Sequence, residues 1–144
     1  MVNRGRTREN RGQVFVTDEV GAKLEKLLKM GDLLPKDLVK YAEDVGDFLA
    51  NKARLKTSQI RKFLDAVNAI RSEGKDKDPS FFQRRVILLK PKLAYAAGRQ
   101  DAVRPLMAVL DPCMSRVKDE EDFFKFSRFV EAIVAYHRYH GGRD

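Results

Sequence analysis

Apolar side chains along this chain recur at spacings of three and four, the period of helices with one buried stripe, and no segment alternates with the period of a half-buried strand. Thr17 is placed to cap a first helix, with Asp18 and Glu19 at the positive end of its dipole and Val20, Leu24, Leu27 and Leu28 as its apolar side, up to Gly31. Pro35 suits the first position of a second helix, whose apolar positions Leu38, Val39, Ala42, Val45, Phe48 and Leu49 run to about Asn51. A third begins at Thr57 or Ser58, turns Ile60, Phe63, Leu64, Val67 and Ile70 inward, and stops at Gly74. Asp78 and Pro79 open a fourth helix that runs from Ser80 towards Gly98.

Pro91 lies inside that fourth helix. It has no backbone donor and its ring crowds the carbonyl four residues back, so a kink or break is expected near Leu89 and Lys90. The segment is apolar on most sides, through Phe81, Phe82, Val86, Ile87, Leu88, Leu89, Leu93 and Ala94 to Ala97. It is therefore either a central helix or one covered by a partner. A fifth helix is predicted over about Asp101 to Val117, bent by Pro112, and a sixth from Asp119 to about His140, ended by Gly141 and Gly142. The pattern predicts an all-α fold, a compact bundle of about six helices, with one domain over residues 17–144. Residues 1–16 read as a flexible arm, since Arg4, Arg6, Arg8 and Arg11 there face only Glu9 and few apolar side chains.

Composition narrows what such a bundle does. A formal charge of +8 suits a polyanionic partner, because each cation that neutralises a phosphate releases condensed counterions. Nucleic acid fits better than a membrane, since no apolar run approaches the length that spans a bilayer. The opening residues lack the apolar stretch of a secretory signal, and Cys113 has no second cysteine to pair with, so a reducing, cytoplasmic location is expected. Cys113 sits in an apolar-periodic segment and reads as a buried thiol without chemistry.

Two clusters invite a catalytic or metal-binding reading, and neither sustains it. Four acids at Asp119, Glu120, Glu121 and Asp122 are what a helix start selects, and no other segment supplies the further oxygen ligands a metal would need. His137 and His140 make at most half a zinc site, and His137 shares a stripe with Phe123, Phe126, Val130 and Ile133, as a packed, hydrogen-bonded histidine would. No catalytic residue, metal ligand or cofactor is expected.

The basic residues are more informative. Lys52, Arg54, Lys56, Arg61 and Lys62 fall within eleven positions that contain no acid, where the second helix gives way to the third. The free donors of a helix start at Thr57, Ser58 and Gln59 lie among them, a place for a phosphate. Arg85, Lys92 and Arg99 recur every seven residues, about 10 Å apart per step on one helix line, with Leu88 and Tyr95 beside them. Such a line can track a sugar-phosphate backbone and pack on a base. A solvated charged face, or an Arg99 paired inside the bundle with a carboxylate such as Glu131, fits the same spacing. Zinc-finger spacing and aromatic-rich RNA-binding strands are both missing from the sequence, so sequence-independent backbone contact is the better reading.

Three stretches together resemble the small subunit of type III-A CRISPR effector complexes, the Csm complexes. They are Thr57-Ser-Gln-Ile-Arg-Lys-Phe63, Leu88-Leu-Lys-Pro-Lys-Leu-Ala-Tyr-Ala-Ala-Gly-Arg99 and Phe129-Val-Glu-Ala-Ile-Val-Ala-Tyr-His137 followed by Gly141-Gly142. The likeness covers about Lys56 to Gly142, and residues before Lys52 lie outside it. It implies a non-catalytic helical bundle, present in several copies as an inner filament that offers a basic surface to target RNA. RNA cutting would belong to the backbone subunit, and DNase and cyclic-nucleotide chemistry to the large subunit. Carried onto the matching positions, it makes Lys56, Ser58, Gln59, Arg61, Lys62, Lys90, Lys92 and Arg99 contacts to target RNA. Ile60, Phe63, Leu93, Ala94, Ala97, Ile133 and Val134 become core; Tyr95 and Tyr136 fit either class and are placed with the core because their neighbours are apolar. Implied partners are target RNA, displaced or other single-stranded nucleic acid, the other subunits and further copies of the chain. The alternative is a basic helical scaffold that binds proteins and holds nucleic acid only weakly.

Overall fold

The computed structural model describes residues 15–144. Residues 1–14, with the arginines of the expected arm, lie outside the described residues. Seven α-helices are found among the described residues: α1 Val16–Glu25, α2 Pro35–Asn51, α3 Thr57–Glu73, α4 Phe81–Ile87, α5 Leu89–Arg99, α6 Arg104–Ser115 and α7 Glu120–Tyr139. Short 3-10 turns at Met30–Asp32 and Asp101–Val103 lie between α1 and α2 and between α5 and α6, and no strand occurs among the described residues. The fold is all-α, as the periodicity predicts. The seventh helix arises because the expected fourth is in two pieces. Leu88 ends α4 and precedes α5, which places Pro91 in the first turn of a new helix, where a missing N–H costs nothing.

α7 is the axis of the core. Its Phe123, Phe126 and Phe129 are fully buried, α2 and α3 both pack against it, and α1 lies on α6. Gly46 allows the α2–α7 approach: a Cβ there would stand 2.7 Å from the His137 amide nitrogen and 2.8 Å from the Tyr136 Cβ. Stacked and edge-on rings of Phe81, Phe82 and Phe123 bind α4 to the start of α7.

The acidic run at the start of α7 has a structural task. Asp119 is the N-cap and accepts from the Asp122 amide at 2.9 Å, while the fully buried Asp122 accepts from the Gly31 amide at 2.7 Å and the Lys118 amide at 2.9 Å. Lys29 reaches Asp119 at 3.0 Å and Asp122 at 3.9 Å. The carboxylates thus clamp the turn after α1 onto α7, and burial of Asp122 is offset by hydrogen bonds. Hydrogen bonding to Asp119, reinforced by the charge of Asp122, raises the Lys29 ammonium above its ordinary range. Asp119 is lowered, first by the Asp122 amide and then by Lys29. His137 is buried, and its Nε2 donates to the Leu55 carbonyl at 2.7 Å. Burial pushes the Cys113 thiol far above its ordinary range. Both are core residues, as expected.

Several local expectations are overturned. Thr17 does not cap α1: the helix starts at Val16, with Phe15 before it and its ring on Phe48, and the Thr17 hydroxyl is buried without a partner among the described residues. α1 stops at Glu25 rather than Gly31, because Arg116 takes the Glu25 carbonyl at 2.6 Å and the Leu27 carbonyl at 2.9 Å and so satisfies the exposed helix end; Leu28 is left 84% exposed. Neither Thr57 nor Ser58 caps α3 through its hydroxyl. Instead the Gln59 side chain accepts from the Lys56 amide at 3.1 Å. Ala94, placed in the core by resemblance, and Tyr95, placed there by its apolar neighbours, are exposed, because the two-piece fourth segment buries Leu89, Leu93 and Ala97 and turns the positions between them outward. Glu131 pairs with Arg71 at 3.7 Å and not with Arg99.

Candidate nucleic-acid interface

α3 and α5 lie on either side of a groove of about 590 Å³. Its floor is apolar, made by buried Leu55, Phe63, Leu89, Leu93, Val103 and Leu106. Its polar lining is Gln59 and Lys62 from α3, Lys92 and Arg99 from α5, and Gln100 at the α5 C-cap, with Tyr95 on α5 between the two cations. The positions follow from helix periodicity. Phe63 and Leu93 face inward, so Lys62 and Lys92, one residue away, fall at the edge of the buried stripe, where long cationic side chains cover apolar floor and keep their charge in water. The Gln59 amide donates to the Gln100 side chain and joins the α3 start to the α5 end.

Two basic clusters that are far apart in sequence therefore meet. Lys62 comes from the junction and Lys92 and Arg99 from the heptad-spaced line, and no acidic side chain among the described residues pairs with any of the three. Lys52, Arg54, Lys56 and Arg61 are exposed next to this groove in sequence and likewise have no ion pair among the described residues. Arg54 has φ +58° at the end of α2, and the left-handed turn carries Leu55 into the core, with its amide on the Leu49 carbonyl at 2.8 Å.

Other expected contacts are placed elsewhere. The break at Leu88 separates Arg85 from Lys92 and Arg99: Arg85 is ion-paired with Glu73 and lies over the Phe81 ring at 5.6 Å. That bond holds the Glu73 carboxyl below its ordinary range. Lys90 pairs with Asp111 at 3.3 Å and donates to the Ser115 hydroxyl. The start of α3, the expected phosphate site, holds an anion of the chain itself. The Ser58 amide donates to the Asp144 side chain at 2.8 Å and the Thr57 amide to the Arg143 carbonyl at 3.4 Å. An N-terminal helix dipole draws a carboxylate as readily as a phosphate, and the turn at Gly141, φ +99°, returns the chain end to it. Gln100 was missed by the sequence reading, and its place beside Arg99 was the only available signal.

A second cavity of about 500 Å³ between α1 and α6 has the opposite character, lined by Asp18, Glu25 and Asp111 with Arg104 as its cation. It repels a polyanion, which leaves the α3–α5 groove as the better fit. No cluster of three or more His, Cys, Asp or Glu among the described residues is arranged to hold a metal ion. No helix among them is long and apolar enough to cross a membrane.

The family model described as Csm2 Type III-A matches residues 32–143. The chain belongs to the Csm2 type III-A family. The match begins well before Lys52, so the second helix, left outside the resemblance above, is part of what the family shares. Streptococcus thermophilus CRISPR system Cms protein Csm2 is 35% identical over 92 residues, covering 62% of this chain and 76% of that protein. The protein of the same name from two strains of Mycobacterium tuberculosis is 28% identical over 117 residues, covering 75% of this chain and 94% of the relative. No solved structure matches the chain.

Proposed function

We propose that this chain is a non-catalytic structural subunit of a type III-A CRISPR interference complex that holds the backbone of target RNA in the α3–α5 groove. The observation that carries this reading is the meeting of Lys62, Lys92 and Arg99, without acidic partners among the described residues, over one apolar floor. Family membership supplies the complex and its other subunits as partners. Target RNA, repeated copies along a filament and a cytoplasmic location complete the proposal. A groove of flexible cations without a fixed pattern of donors and acceptors binds phosphate rather than sequence. Affinity for single-stranded RNA should therefore fall steeply with salt and differ little among unrelated sequences of equal length. Strong discrimination among such strands at constant salt would contradict it.

A scaffold reading has one observation in its favour. Ile87 and Leu88, at the junction of α4 and α5, are 43% and 60% exposed and give this part of the surface an apolar character suited to protein contact. Light scattering of the purified chain with and without RNA separates the two: complexes that form only with RNA support the first, and assembly indifferent to RNA supports the second.

A further inference from the structure

Tyr95 is 69% exposed, in a segment whose neighbours Leu93 and Ala97 are buried. A single exposed aromatic is ordinary on a protein surface and by itself carries no meaning. The setting of this one is not ordinary. The Arg99 guanidinium lies over the Tyr95 ring at 5.8 Å, and no other aromatic side chain among the described residues contacts that ring. Lys92, Tyr95 and Arg99 are spaced three and four apart on α5, which puts them on one face, with a cation before the ring and a cation after it along the helix axis. All three line the α3–α5 groove, with Lys62 opposite on α3.

We propose that Tyr95, braced by Arg99, is a stacking platform for one unpaired base of a single strand lying in this groove. The inference rests on the reading of the groove as a nucleic-acid interface and names the form of nucleic acid it selects. Phosphates on either side of the stacked base meet Lys92 and Lys62, and Arg99 contributes both charge and a planar surface. A duplex presents the same phosphates but keeps its bases inside the stack, so it gains the charge contacts and not the ring contact. Every base has a π face, and the platform therefore adds affinity for single strands without adding sequence preference.

The test uses the purified full chain, wild type and Tyr95→Ala, with three probes of equal length: single-stranded RNA, the same ribose-phosphate chain without bases, and double-stranded RNA. Tyr95→Ala should weaken binding of the single strand about 5- to 100-fold and leave the baseless chain and the duplex unchanged. Tyr95→Phe, which keeps the ring, should bind the single strand like wild type. The chain contains no tryptophan, so Tyr95→Trp introduces a sole indole whose emission should change on adding the single strand and not the baseless chain. Equal losses on all three probes, or no loss on any, overturn the platform while wild-type binding of the baseless chain still upholds the charged groove. Wild type that binds none of the three at low salt overturns the groove reading itself, and the platform with it.

Discussion

Arg54 occupies a left-handed backbone conformation, φ +58°, which only glycine adopts without a steric cost from its Cβ. The turn is kept because it delivers Leu55, 1% exposed, to the core, where the Leu55 carbonyl accepts a hydrogen bond from His137 Nε2. Arg54→Val, with a branched Cβ, should therefore be less stable than Arg54→Gly by about 1–2 kcal/mol in chemical denaturation. Asp119 gives a pH-dependent counterpart. Its carboxyl is held below the ordinary value, first by the Asp122 amide and then by Lys29, so the unfolded chain takes up the proton more readily than the folded one. Its contribution is complete above the ordinary carboxylate range and is lost as pH falls through the lowered folded value. Asp119→Ala should cost about 1 kcal/mol at neutral pH, with a gap from wild type that closes below about pH 4, by urea unfolding across pH.

At the scale of elements, helix existence was legible and helix ends were legible in part. Pro35, Gly74 and Asp119 mark real boundaries because their backbone chemistry acts locally. Thr17 misled because the helix begins one residue before it, and Thr57 and Ser58 because a hydroxyl that could cap a helix does so only when no other group reaches the exposed amides first. At α3 those groups are Gln59 and the distant Asp144, and the second has no local signature. The apolar character around Tyr95 suggested core; only the break at Leu88 and the packing of Leu89, Leu93 and Ala97 decide which residues turn outward. Contact between α2 and α7 through Gly46 was equally invisible, since it depends on residues some ninety positions apart. Gly46→Ala raises helix propensity, yet its Cβ would collide with the α7 backbone at His137, so it should destabilise by about 1–3 kcal/mol with helical content retained, measured by thermal unfolding.

For the molecule as a whole, a net charge of +8 says only that polyanions are welcome. The fold distributes that charge. Arg85 and Lys90 are ion-paired, Arg116 and Lys125 donate to the turn after α1, and Asp144 occupies the start of α3. Lys62, Lys92 and Arg99 remain along one groove, thirty residues of sequence folded back to bring them together. The sequence showed the cations and not their partners, because pairing is a property of packing. The central claim is tested most directly by the salt dependence of single-stranded RNA binding in the variant with Lys62, Lys92 and Arg99 all changed to alanine. Each phosphate neutralised adds about 0.7 to the slope of log affinity against log salt, so the variant should bind more weakly with a slope shallower by about 2, whereas Arg85→Gln with Lys90→Gln keeps the wild-type slope. A folded triple variant with the wild-type slope would contradict the account.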